Sequence, residues 1–234
     1  VDRITRKELK QDKFALEVGQ TVEFFTEHRR QAIQWGAAAL VVVLVVAGFF
    51  LWRSRQRKAR EIALNVAVEI WQAPIGPQQG DPQARTFATQ QDKDKAAIAA
   101  FSEVAAKYSG SREGTIAQYY LGAIAADQGK LAASEAALKE VIDSGDANYA
   151  SLAKLSLADV YKAEGKQADG EKLLRSIIAK PTVFVSKEQA TLALAKYLAS
   201  SNPEEARKLL LPLRTERPAI SRAAITELGS LPSK

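Results

Sequence analysis

The chain has one histidine, His28, and no cysteine. A metal centre needs several imidazole, thiolate or carboxylate groups converging on one point, and a general base needs a neighbour that orients it. His28 stands beside Arg29 and Arg30 with no second group of its kind, and reads as a polar residue at a boundary. The run Gly110-Ser111-Arg112-Glu113-Gly114 lacks the Lys-Ser/Thr that completes a phosphate cradle, so it reads as a turn between helices. Glu204 and Glu205 follow Asn202-Pro203, which makes them first-turn acids of a helix rather than a catalytic pair. Ser, Asp and Lys occur without a spacing that links them into a triad. One enzymatic alternative stays open. The long polar stretch Pro74–Gln91 could border the cleft of a hydrolase or a lipid-modifying enzyme, which requires carboxylates of perturbed acidity there. The reading preferred here is a protein without catalytic residues, cofactor or metal.

The lack of cysteine excludes a disulfide framework, thiolate zinc sites and thiol catalysis. The net charge of +6 is unevenly placed. Residues 1–35 carry seven Lys/Arg and six Asp/Glu, residues 53–60 carry five Lys/Arg and no acid, and the remaining 174 residues carry 21 of each sign. A neutral region of that size has no electrostatic reason to hold a phosphate backbone, so nucleic acid is not an expected partner.

The elements that could position a site fall into two kinds. Ile33–Trp52 holds a single polar side chain, Gln34, in 20 residues. As a helix it measures about 30 Å, the thickness of a bilayer's hydrocarbon core. Trp35 and Trp52 sit where interfacial aromatics belong, with Arg29 and Arg30 before them and Arg53, Arg55, Arg57 and Lys58 after them as head-group contacts. A soluble core helix would show a polar face, and a signal peptide would start earlier and carry a small-residue cleavage site. The lipid bilayer is therefore an expected partner. The bias of Lys/Arg toward the C-terminal flank, read alone, leans toward a cytoplasmic C-terminal region. Before the span, Thr5 to Glu8 fits a capping box, and Phe14, Val18, Val22 and Phe25 recur at helical spacing. This reads as an amphipathic helix on a membrane or partner, or as a plain helix leading into the span.

After residue 60 the sequence reads as helix broken at turns. A shift of 36 carries Gly129 onto Gly165 and Ser201, Leu138 onto Leu174 and Leu210, and Val141 onto Ile177 and Leu213. It also carries Tyr161 onto Tyr197 and Glu135 onto Glu171. Three units thus share turn and core positions, as a stacked array of helix pairs requires. A degenerate first pair is expected from about Ala59–Gln72 and Asp92–Tyr108, and a short closing helix over Ser221–Leu228. Breaks are expected at Ser109–Gly114, Ser144–Asn148, Pro181 and Pro218 among others. Asn202 is expected as an N-cap, and Ser186 with Gln189 as a capping box. Gly122, Ala125, Ala158 and Ala195 would let helices approach closely.

The segments "LGAIAADQGKLAASEAALKEVI" and "LADVYKAEGKQADGEKLLRSII" resemble the tetratricopeptide repeat in their small residue, turn glycine and late leucine. They depart from it in period and in placing Ser134 and Gly170 where an early alanine is expected. The order of elements, with "FFTEHRRQ" before the span and "WRSRQRKA" after it, is similar to the ancillary SecYEG translocon subunit (YfgM-like) family of bacteria. The resemblance implies an all-α fold: an N-terminal transmembrane helix, then a tetratricopeptide-like right-handed helical-hairpin solenoid. The expected layout is residues 1–32 as an amphipathic segment, 33–52 as the span, 53–91 as a basic juxtamembrane helix and polar loop, and 92–234 as the repeats. It further implies a single-pass protein of the bacterial inner membrane with periplasmic repeats. Its partners would be proteins, translocon subunits or periplasmic chaperones. In the repeat register Tyr119, Asp159 and Lys162 would face the inner groove, whose Ala-rich lining suits an apolar, adaptable partner surface. The alternative function is a cytoplasm-facing anchored scaffold for a signalling or cell-division complex.

Overall fold

Helix starts in this chain are marked by short polar side chains. Thr89, Ser111, Asp146, Ser186 and Asn202 each accept a hydrogen bond from a backbone N–H of the turn that follows. Ser186 completes the expected capping box: its Oγ accepts from Gln189 N at 3.2 Å and Gln189 Oε1 accepts from Ser186 N at 2.9 Å. The computed structural model describes residues 29–77, 85–144 and 146–232. Among them run α1 (Arg29–Gln72), α2 (Gln90–Lys107), α3 (Arg112–Asp127), α4 (Leu131–Asp143) and α5 (Ala147–Ala163). They continue as α6 (Gln167–Ala179), α7 (Lys187–Leu198), α8 (Pro203–Leu213) and α9 (Pro218–Ser230). The only β pairing among the described residues is an isolated parallel bridge between Ile75 and Phe87, which joins the two ends of the stretch from Pro74 to Gln91. The all-α reading holds. The capping box expected at Thr5–Glu8 and the apolar positions Phe14 to Phe25 lie outside the described residues.

Some boundaries differ from the expected ones. Helix α3 begins at Arg112, so Gly114 lies inside its first turn instead of in the preceding break. Ser111 Oγ caps it by accepting from Gly114 N at 3.1 Å, and a Cβ at Gly114 would collide with the backbone carbonyl of Tyr108. The closing helix α9 starts three residues earlier than expected because Pro218, read as a break, occupies the first turn, where a missing N–H costs nothing.

The chain divides into two compact units, residues 1–58 and 59–234. In the second, the helices pack in sequence order as pairs: α3 with α4, α5 with α6, α7 with α8, with α9 against both α7 and α8. The segment of α1 from Ala59 onward packs with α2 as the first pair, through Leu64, Ala67 and Ile70 against Ala97, Phe101 and Val104. Phe101 is fully buried and stacks on Tyr120 at 4.7 Å. The shift of 36 is visible in the turns. Gly129 and Gly165 adopt φ of 69° and 76°, and behind them Lys130 N donates to Ala125 O and Lys166 N to Tyr161 O, both at 2.8 Å. That six-residue closure needs a left-handed residue, which glycine supplies without a Cβ clash. The third turn has Ser201 in that place and closes differently, with Asn202 N donating to Leu198 O at 2.7 Å.

Each pair is held close by one small residue. Gly122 of α3 faces Leu138 of α4, and Ser134 Oγ donates to Gly122 O at 2.7 Å. One unit later Gly170 of α6 faces the hydroxyl of Tyr197, which donates to Gln167 O at 3.0 Å. These are the two positions at which the sequence departs from the expected alanine. In each the departure makes room for, or bonds to, a group from the next helix. Ala substitution at an ordinary helical glycine stabilises by about 0.5–1 kcal/mol. At Gly122 and Gly170 a new Cβ meets packed atoms, so Gly122→Ala and Gly170→Ala are expected to destabilise by about 1–3 kcal/mol each. Gly229→Ala, with open space around it, is expected to be neutral or stabilising. Thermal unfolding followed by circular dichroism checks the opposite signs, at about 2–4 °C per kcal/mol.

Candidate functional site

A site for another polypeptide needs a face that the array does not consume. The first helices of successive pairs touch one another, α3 with α5 and α5 with α7, and α9 continues the row against α7. The backbones of the second helices α4, α6 and α8 do not approach one another in this way, although the Arg175–Glu205 ion pair spans α6 and α8. The array therefore closes on the first-helix side, and that row presents a continuous face.

The three residues expected on that face are placed as follows. Tyr119 is half-buried on α3, packed against the cluster of Leu138, Ala153, Leu157 and Tyr161, with its ring edge-on to Tyr120 at 5.9 Å. Asp159 and Lys162 lie near each other on α5, and both are exposed. The Lys162 ammonium donates to the carbonyl of Tyr197 at 3.2 Å and sits 5.3 Å from the centre of that ring. It thereby serves the last turn of α7, where carbonyls lack helical partners. Crowding by neighbouring groups pushes the Asp159 carboxyl above its usual range, and Lys162 pulls it partly back. No hydrogen bond, ion pair or ring contact joins Tyr119 to either residue among the described residues.

Sequence reasoning did not find Tyr149 and Phe184, which extend the aromatic surface. Their rings meet edge-on at 5.2 Å, and the Arg112 guanidinium lies 6.0 Å above Tyr149. Phe184 comes from the connection between α6 and α7, which is stapled down by Ser151 and Thr182 hydroxyls 2.7 Å apart and by buried Val185. Neither aromatic has a counterpart at a shift of 36, so the repeat gives no signal for them.

The helix-pair ends carry a line of ion pairs. Glu135 on α4 accepts from Lys139 at 2.6 Å and from Lys166, of the next turn, at 3.0 Å, while Tyr161 Oη donates to it at 3.3 Å. One unit on, Arg175 bridges Glu171 at 2.7 Å and Glu205 at 2.5 Å. These bridges tie each second helix to the following unit. Hydrogen bonds from Lys139 and Lys166 hold the Glu135 carboxyl down at about 2.

One groove among the described residues is lined as follows. A groove of about 580 Å³ between α6, α7 and α8 has an apolar floor, Ile178, Leu194, Leu209 and Leu213, with Arg175, Lys187, Glu188, Lys208 and Glu216 around it. Arg175 is already paired, and Glu188 is held in its charged form by hydrogen bonds at the start of α7. Among the described residues no three His, Cys, Asp or Glu groups are placed to share a metal ion. Asp159, the one carboxyl whose pKa is pushed upward among the described residues, lies on α5 and not beside Pro74–Gln91. Residues 78–84 of that stretch lie outside the described residues.

In the first unit, α1 is apolar on every side. From Ile33 to Trp52 its large apolar side chains are exposed, from 47% at Val46 to 77% at Trp35. This helix is long and apolar enough to cross a membrane. Trp52 packs 6.3 Å from Phe49, and the helix continues through Arg53, Arg55, Arg57 and Lys58, all exposed, as is Arg30 at the other end. Arg29 opens the helix.

The Glu135 cluster gives a pH test. Its folded pKa lies below the ordinary 4.5, so its contribution is present above about pH 4.5 and is lost as the pH falls toward about 2. Solvent screening keeps it below about 1 kcal/mol. Glu135→Gln is expected to lower the unfolding midpoint at pH 6, and the difference from the parent chain is expected to vanish as the pH approaches 2. Denaturation series at several pH values check this.

Comparison with known proteins gives one match. The pattern described as a tetratricopeptide repeat-like domain matches residues 23–210. No curated protein and no solved structure matches the chain. Tetratricopeptide repeat-like domains are modules of protein–protein interaction. The match spans most of the chain and takes in the stacked pairs from α1 to α8, and the chain belongs to the tetratricopeptide repeat-like domain family.

Proposed function

We propose that the protein is a membrane-anchored adaptor that holds another polypeptide against its first-helix face, without covalent chemistry. The observation that carries this reading is the presence in one chain of an exposed apolar segment of α1, Ile33–Trp52, and a packed array whose first helices form one row. An all-apolar helix is stable only where lipid or protein covers it. On the row, Tyr119 and Tyr149 supply anchors of the kind that dominate protein interfaces, apolar area with a polar tip, Asp159 adds a charge, and Phe184 meets Tyr149 from the α6–α7 connection. Lys162 contributes by fixing the end of α7 beneath them.

The finer part of the proposal follows the resemblance of the layout to the ancillary SecYEG translocon subunits. The adaptor is placed in the bacterial inner membrane, with periplasmic repeats serving the export channel or its chaperones. Arg29, Arg30, Trp35, Trp52, Arg53, Arg55, Arg57 and Lys58 are its interfacial residues. A second reading keeps the anchor and faces the repeats into the cytoplasm, as a scaffold for a signalling or division complex. The five Lys/Arg at residues 53–60 favour it, because basic flanks are retained on the cytoplasmic side.

The cysteine-free chain makes the two separable. Ala147→Cys puts one thiol at an exposed position, and an impermeant thiol reagent applied to intact cells is expected to label it. Labelling only after lysis assigns the repeats to the cytoplasm. A photo-crosslinking residue at position 119 in native membranes is expected to capture translocon subunits or periplasmic chaperones, and their consistent absence overturns the export assignment. Asp159→Ala in that probe-bearing chain is expected to lower capture about fivefold or more, while circular dichroism stays helical.

A further inference from the structure

Between Glu27 and Glu61 the chain has no acidic residue. The second half of that stretch carries Arg53, Arg55 and Lys58 directly after Trp52, all exposed on α1. Some cations of this chain are engaged by acids, Lys139 and Lys166 on Glu135, Arg175 on Glu171 and Glu205, Lys196 on Glu227, and others by rings or carbonyls, Arg112 on Tyr149 and Lys162 on Tyr197. Even Arg60, two residues on from Lys58, turns to Glu113 at 3.8 Å. Arg53, Arg55 and Lys58 have no acid partner among the described residues.

Helical geometry turns these three cations into a ring. At about 100° per residue they project in different directions around α1, and their rise along the axis is about 7.5 Å. The head-group layer beyond a bilayer's hydrocarbon is about 5–7 Å deep on each side. The apolar run ends at Trp52, an interfacial anchor, so the ring begins where that layer begins. A cation ring with no internal neutralisation gains little net attraction from zwitterionic lipid, which carries no net charge, and is favoured beside lipid of net negative charge.

We propose that Arg53, Arg55 and Lys58 form a collar that selects anionic phospholipid, gathering acidic head groups around α1. The proposal rests on the membrane-anchored reading and adds to it a lipid preference. The collar attracts by charge more than by shape, so its selectivity falls with salt and survives exchange of arginine for lysine.

The test uses the full chain in neutral detergent and native mass spectrometry. Phosphatidylglycerol and phosphatidylcholine with identical acyl chains are titrated in turn. The parent chain is expected to retain phosphatidylglycerol in preference, by a ratio that falls about fivefold for each cation replaced. Arg53→Gln, Arg55→Gln and Lys58→Gln together are expected to bring it close to parity. The double Arg53→Lys, Arg55→Lys variant keeps the preference, and excess inorganic phosphate does not abolish it. Equal retention of both lipids by the parent chain overturns the collar, and so does full preference in the triple glutamine variant. Displacement by inorganic phosphate alone also overturns it, assigning a phosphate site instead. A chain that stays soluble without detergent overturns the membrane-anchored reading itself, and is distinguishable because no lipid of either kind is then retained.

Discussion

Everything in the repeat region depends on how closely the two helices of a pair can approach. Backbone-to-backbone proximity is set by the smallest side chain at the crossing, and here Gly122 and Gly170 occupy those crossings. Leu138 seats itself against Gly122, and Tyr197 reaches over Gly170 from the following pair. The first contact closes a pair, and the second joins one pair to the next. With both in place, Leu138, Leu157, Leu174, Leu194 and Leu210 are all buried, the first two in one apolar cluster and the other three in the next. The close approach also explains why hydroxyls are tolerated inside. Ser134 and Tyr197 each find a backbone carbonyl within reach, so burying them costs no unpaired donor.

Electrostatics plays a different part from burial. The Glu135 and Arg175 clusters lie at solvent-exposed helix ends and bridge successive units, where each pair is worth little by itself. The Lys162 contact differs because its acceptor is a helix-terminal carbonyl and its stem lies along an aromatic ring. It fixes the end of α7 against α5 and so shapes the face on which Tyr119 and Asp159 stand. Positioning of that face thus comes from backbone carbonyls as much as from side-chain pairs.

The anchor follows a simpler rule. Across Ile33–Trp52 nothing in the sequence offers one side of α1 to water and another to protein, and the structure leaves every large apolar side chain there exposed. Beyond Trp52 the same helix changes solvent within a few residues, from hydrocarbon-like to densely cationic. From Leu64 on, it acquires a buried stripe, Leu64, Ala67 and Ile70, and becomes a member of the first pair. One continuous helix, Arg29–Gln72, therefore carries three side-chain patterns in turn: apolar all round, then cationic, then apolar on one side.

Helix type, pairing and anchor were legible because each is written locally. A 20-residue apolar run declares its length, Gly129 and Gly165 declare turns that need positive φ, and Asn202, Ser186 and Gln189 declare caps within four residues. The shift of 36 then carries one unit onto the next without reference to any contact. What only the tertiary structure decided involves residues from 12 to 35 positions apart. Ser134 and Gly170 look like defects of the repeat until Gly122 O and Tyr197 Oη are brought against them. Lys162 reads as a free groove residue until the carbonyl of Tyr197 claims it. The pairing of Tyr149 with Phe184 depends on the path of a connection that breaks the repeat. The physical reason is the same in each case: periodicity specifies which side of a helix is buried, but only packing specifies which distant group meets it there.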